Sequence, residues 1–162
     1  MSKYVFGVDL GGTTVKMGLF DAEGTVLDKW EIVTVTENGG SQILPDIANS
    51  ILAKMDEKSI DKSDVIGVGI GVPGPVDSQG IIHKAANLGW GVFNVSETLG
   101  GLVGVPVKSG NDANVAALGE MWKGGGQGYS NMVAVTLGTG VGGGIIIEGK
   151  VLASATGSGG EI

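Results

Sequence analysis

The chain has no cysteine and no arginine, a single histidine, and few aromatic residues, 5% of its 162. Without cysteine it has neither disulfides nor thiolate metal sites, which fits a reducing cytoplasm. Without arginine there is no guanidinium fork to grip a phosphate. Any phosphate must then be held by backbone N–H groups, hydroxyls, lysine or a metal. The 10 basic residues are all lysine and face 17 acidic ones, and the net charge of −7 disfavours non-specific nucleic-acid binding. No apolar run reaches the ~18–20 residues that cross a bilayer, and the first residues lack a signal-peptide pattern, so no membrane partner is expected. The lone His83 reads as a surface-loop residue rather than a catalyst.

Glycine is what the chain has in excess: 32 residues, about one in five against a usual ~7%. They cluster in turns between apolar strands rather than recurring every third residue. That excludes collagen and points to close approach between backbone and ligand. The 42% hydrophobic content belongs to a globular protein with a real core.

The chain is organised around residues 5–16, Val-Phe-Gly-Val-Asp-Leu-Gly-Gly-Thr-Thr-Val-Lys. They read as a buried strand, a glycine turn and a second strand. Gly11 and Gly12 permit a sharp turn with exposed N–H groups, and Thr13 and Thr14 add hydroxyls. Asp9, at the end of the first strand, is placed to hold a hydrated magnesium beside a phosphate. The pattern is neither a P-loop nor G-x-G-x-x-G, and an ordinary glycine hairpin reads the same locally. A third strand is expected at 25–32 after the turn at 21–24, completing an antiparallel meander. A loop at 37–40 precedes a helix at 41–58, capped by Ser41, with Ile43, Ile47, Ile51 and Met55 on one face. Residues 65–72 form a continuous apolar run that suits a parallel strand buried on both faces, and Pro73-Gly74-Pro75 after it is a candidate wall of a site. Asn87-Leu88-Gly89-Trp90 reads either as a sugar contact or as an Asn turn beside a buried Trp.

A short helix at 97–102 capped by Ser96 and a strand at 105–108 precede Asn111-Asp112, which open a helix to Lys123. One of that pair caps the helix; the other is free to point into a cleft, where a carboxylate could accept a proton from a hydroxyl. The strand at 132–137, which reads as buried, the Gly/Thr stretch at 138–144, the strand at 145–147, the turn at 148–149 and the strand at 150–153 repeat the opening design. Two copies of one meander suggest two related half-domains whose turns hold a phosphate chain from both sides. The second copy lacks the helices of the first, so the chain reads as a fragment or as completed by something else.

Taken in order, Asp9-Leu10-Gly11-Gly12-Thr13, Val72-Pro73-Gly74-Pro75, Asn87-Leu88-Gly89-Trp90, Asn111-Asp112-Ala113-Asn114, the run at 137–144 and Gly160-Glu161-Ile162 resemble the motifs of ROK-family sugar kinases, most of all a bacterial ROK glucokinase. The resemblance implies an α/β fold, ribonuclease-H-like and of the actin/hexokinase (ASKHA) type. Residues 1–123 would form one such domain and 124–162 the incomplete start of a second. It implies ATP-dependent phosphorylation of the 6-hydroxyl of glucose in the cytoplasm, with Mg²⁺. Asp112 then resembles the catalytic base; Gly74, Asn87, Asn111 and Glu161 resemble sugar contacts. Gly11, Gly12, Thr13 and Thr14 resemble the first phosphate loop, Gly138, Thr139 and Gly140 the second, and Asp9 the residue that positions Mg²⁺. Mannose, fructose or an N-acetylated amino sugar as substrate, and polyphosphate as donor, stay open.

The family's sugar-binding Gly-His after Gly-Glu-Ile, its cysteine-rich zinc motif and its adenosine segment are not in this sequence, so the isolated chain is expected to have little activity. The partners expected are a hexose, ATP, and either a second copy in a homodimer or a missing C-terminal half. The chain begins at the first strand, without the helix-turn-helix of the family's repressors. A second reading, from another class, is a non-catalytic binding or self-assembly module built on exposed sheet edges.

Overall fold

The computed structural model describes residues 3–138, 140–152 and 159–160. Three strands, β1 (Tyr4–Leu10), β2 (Thr14–Asp21) and β3 (Val26–Val33), form the opening antiparallel meander. A single turn, α1 (Glu37–Gly40), and the helix α2 (Ile43–Glu57) lead to β4 (Val65–Val72), which lies parallel to β1. The short pair β5 (Ile81–Ile82) and β6 (Phe93–Asn94) precedes α3 (Val95–Val103) and β7 (Val107–Asn111), which lies parallel to β4. The first sheet is therefore five-stranded and mixed, in the order β3-β2-β1-β4-β7. Helix α4 (Asp112–Lys123) carries the chain to a second antiparallel sheet of β8 (Met132–Leu137), β9 (Val141–Ile147) and β10 (Lys150–Val151), ordered β10-β9-β8. Among the described residues no helix is long and apolar enough to cross a membrane.

One face of the first sheet makes the core. Phe6, Val8 and Leu10 of β1 and Val15, Met17 and Leu19 of β2 alternate inward, as the two-residue period of a strand requires. Ile43, Ile47, Ile51 and Met55, one per turn of α2, all pack onto them, with Leu99 and Val103 of α3. Trp30 of β3 fastens α2 from the rim: its indole N–H donates to Ser50 Oγ at 2.8 Å, and Lys54 lies over its ring.

Several sequence expectations are corrected. Ser41 does not cap α2; Gln42 precedes it without a side-chain cap, because Asn38, Gly39 and Gly40 run through a left-handed turn that sets the entry of the chain. Asn94, not Ser96, caps α3 by accepting from the Glu97 N–H, and the Ser96 hydroxyl is engaged with Ser109 Oγ at 2.8 Å. The strand expected at 105–108 lies at Val107–Asn111. Residues 141–144 are strand rather than loop, because Gly142 and Gly144 pair with Thr136 and Ala134. In β4, Ile66 is 53% exposed, so the run is not buried on both faces, and β8 is not the buried strand expected, because Val133, Val135 and Leu137 on one of its faces are exposed. The returning strand is described at Lys150–Val151; Ala153 lies outside the described residues.

Candidate active site

Helix α4 builds the site because it touches both sheets. Gly71 of β4 lets it approach the first: a Cβ there would stand 3.4 Å from the Cα of Asp112. Gly142 and Gly144 let it approach the second, since Cβ atoms there would come within 3.2 Å of the Ala113 Cβ and 2.6 Å of the Ala117 Cβ. Small residues on both surfaces thus wedge the first turn of α4 between the sheets. Asn111 caps that turn, accepting from the Asn114 N–H at 3.2 Å, while its amide donates to the Gly74 carbonyl at 3.2 Å. One side chain therefore fixes both the helix start and the proline turn. Asp112, next in the chain, is left for the cleft.

That cleft has a volume of about 780 Å³ and gathers residues far apart in sequence. Asp9, Gly11, Gly12, Gly74, Asn87, Asn111, Asp112, Gly138 and Gly140, each named from the sequence, all line it. Thr13 and Thr14 do not; their backbones tie the first turn instead. The Thr14 carbonyl accepts from the Gly11 N–H at 3.0 Å, and the Thr13 carbonyl from the Thr34 N–H at 2.9 Å. Thr139 and Glu161 lie outside the described residues. Thr34 was not legible as a site residue. Its hydroxyl donates to the Gly11 carbonyl at 2.8 Å, so a buried threonine after β3 buttresses the turn, and only the three-dimensional return of β3 to that turn reveals it.

The two glycine turns differ. At Gly11 a Cβ would meet the Thr14 carbonyl oxygen at 2.8 Å, so the chain's own turn demands glycine. At Gly138 and Gly140 a Cβ would meet nothing within 4 Å among the described residues, and the Gly138 N–H donates to the Gly140 carbonyl at 2.9 Å. Glycine there leaves the backbone open to close approach. Asn87 overhangs the first turn, with its Nδ2 3.7 Å from where a Gly12 Cβ would stand. Trp90 is buried, its indole N–H donating to the Gly40 carbonyl at 3.1 Å, so it supports the Asn87 loop rather than facing the cleft. His83 is exposed, 3.3 Å from Asp77, and away from the cleft lining.

Burial pushes the Asp112 carboxyl above the usual aspartate range, the nearby Asp9 charge adds to the rise, and the bond from the Ala113 N–H works against it. A half-buried carboxylate that binds its proton readily is suited to act as a base. Asn114, on the same turn, has its Oδ1 buried without a partner among the described residues, 3.0 Å from where a Gly160 Cβ would stand. For a divalent cation, the described residues hold no cluster of three ligating side chains. Asp9, on the cleft, fits Mg²⁺ that arrives with a nucleotide, which needs one or two carboxylates and keeps several waters.

The mixed sheet flanked by helices, the second meander and the cleft between them define an α/β protein of the actin/hexokinase type. The chain belongs to the ROK family, whose family model matches residues 5–162. It is 45% identical to a glucokinase of Halalkalibacterium halodurans over 161 residues, 99% of this chain and 49% of that protein. A ROK family glucokinase from Streptomyces griseus, solved in complex with glucose and AMPPNP, matches at a TM-score of 0.81 and 35% identity, covering 98% of this chain and 49% of that one. A ROK hexokinase from Thermus thermophilus matches at 0.81 and 34%, covering 98% and 51%. The chain spans about half the length of the relatives it matches.

Proposed function

We propose that these residues form the catalytic-base half of an ATP-dependent sugar kinase acting on the 6-hydroxyl of glucose. The observation that carries the reading is the single cleft: two glycine turns from the two meanders, Asn87, and the half-buried Asp112 at the head of α4. The relatives support it, since one is a glucokinase and another was solved with glucose and AMPPNP. In this reading Gly11 and Gly12, with Thr13 and Thr14 behind them, cradle phosphate on one side; Gly138, Thr139 and Gly140 do so on the other. Gly74, Asn87, Asn111 and Glu161 hold the sugar. Asp112 takes the proton of the 6-hydroxyl as that oxygen bonds to the γ-phosphorus and the bond to the β–γ bridging oxygen breaks, releasing ADP. Asp9 would hold Mg²⁺ through water, and the ion supplies neutralisation of phosphate charge. Catalysis of this kind is mostly positioning and electrostatics, which a rigid cleft can supply.

Residues 1–123 act as one lobe and those from 124 as the start of the other, working in the cytoplasm where ATP is available. Turnover requires the remainder of a kinase of the relatives' length. The test is a coupled ATP/Mg²⁺/glucose assay on this chain, with and without the part of the H. halodurans glucokinase that the chain does not match. Glucose 6-phosphate is expected only from the mixture. In Asp112→Asn, kcat is expected to fall ~10²–10⁴-fold. Retention of most of the turnover by that variant would rule out Asp112 as base.

One observation favours the alternative of a self-assembling module. Val133, Val135 and Leu137 of β8 stand 63%, 56% and 82% exposed on one face of the second sheet. Sedimentation of the chain alone separates the two readings. A monomer at micromolar concentration supports the kinase half; a stable oligomer without turnover in the mixture supports the module.

A further inference from the structure

Two parts of the cleft wall are far apart in sequence: the first glycine turn, at 11–14, and the loop that carries Asn87. Among the described residues no hydrogen bond joins them directly. Residues 34–40 join them instead. At one end Thr34 grips the first turn twice, its N–H donating to the Thr13 carbonyl at 2.9 Å and its hydroxyl to the Gly11 carbonyl at 2.8 Å. At the other end the carbonyl of the buried Gly40 accepts from the Trp90 indole N–H at 3.1 Å. Trp90 also closes the Asn87 loop. Its backbone bridges Ala85, and its ring meets Phe93 edge-on at 5.0 Å between centroids.

Between its two ends the segment is tightly constrained. Asn38, Gly39 and Gly40 follow one another at φ values of 54°, 68° and 65°. Asn38 carries a side chain, which this left-handed region disfavours, and such a conformation persists where its surroundings impose it. Those surroundings are the Asn87 loop. A Cβ on Gly40 would strike the Leu88 carbonyl oxygen and stand 2.8 Å from Trp90 Nε1. One on Gly89 would stand 2.9 Å from the Gly39 Cα. Backbone therefore packs directly on backbone.

We infer that residues 34–40 are a strap that sets the Asn87 loop against the first glycine turn, with Thr34 and Trp90 as its positioning residues. Both side chains are buried and act through the turns they hold. The catalytic meaning of the strap rests on the sugar-kinase reading. In that reading one turn holds phosphate and the other holds sugar, so the strap fixes the separation of the γ-phosphate from the 6-hydroxyl. A misplacement of about 1 Å between reacting groups costs on the order of 10²-fold in rate.

Thr34→Val removes the hydroxyl at nearly constant shape, and Trp90→Phe removes the indole donor but keeps a ring. Amide hydrogen exchange on the chain alone reads the strap without any ligand. Each variant is expected to speed exchange about threefold or more at both 11–14 and 87–90, leaving α2 and β4 as in the parent. Thr34→Ser, which keeps the hydroxyl, is expected to match the parent. If each variant loosens only the turn beside it, or if α2 and β4 speed up as much as the turns, the inference is overturned. The catalytic readout uses the mixture with the unmatched part of the H. halodurans glucokinase. Thr34→Val, at the phosphate end, is expected to raise the KM for glucose about threefold or more, and Trp90→Phe, at the sugar end, the KM for ATP by as much. Variants that move only the KM of the substrate beside them overturn the coupling. A parent mixture without turnover would count against the kinase reading, and hydrogen exchange would still decide the strap.

Discussion

Asp112 occupies the first position of α4, where a helix dipole and the Ala113 N–H favour its charge, yet burial outweighs them and raises its pKa. The native state therefore holds this proton to a higher pH than the unfolded chain does. Between the two values folding binds a proton, so the Asp112 contribution to stability falls as pH rises through that window, and the cost is fully present above it. Asp28, whose pKa is lowered by its bonds to Lys54 and Lys58, has the opposite sign: its contribution is lost as pH falls. Subtracting urea melts of Asp112→Asn from those of the parent isolates the first effect. The variant is expected to gain on the parent as pH rises above the ordinary aspartate value of about 4; a difference that does not change with pH would contradict the burial of that charge. The sequence located this residue through the Asn-Asp pair at a strand end and helix start, but could not say which of the two was the cap. Asn111 took that place because its amide could also reach the Gly74 carbonyl.

At the scale of elements, α4 is the part on which the site depends, and its seat is glycine. Gly144→Val would drive a branched side chain into Ala117 and the Ala113 carbonyl oxygen, 2.6 and 2.8 Å from the new Cβ. Urea denaturation is expected to show a loss of ~1–3 kcal/mol, and no loss would mean that α4 does not pack there. Asn111→Ala removes the cap and is expected to cost ~1 kcal/mol, whereas Asn111→Asp keeps the cap and loses only the bond to Gly74. The long apolar elements were legible from period alone: β4 and β8 have the bounds the sequence indicated, and the inward face of α2 is the one its isoleucines mark. What stayed hidden was decided by tertiary partners. Gly142 and Gly144 read as loop because glycine is a poor strand former, and they are strand because a helix needed the space. Ser96 and Asn94 are both good caps two residues apart, and Ser109 drew the serine away.

In the whole molecule, two meanders of the same design bring their turns to one cleft, and α4 holds them there. The glycines of those turns are the residues on which a bound nucleotide would register first. Backbone-amide NMR of the chain titrated with Mg²⁺ and AMPPNP, then with glucose, reads them individually. The account expects shifts that saturate at Gly11, Gly12, Gly138 and Gly140 on nucleotide addition, and at Asn87 and Gly74 on glucose addition. Saturable shifts confined to other surfaces, or none at these glycines in a chain that remains folded, would contradict it.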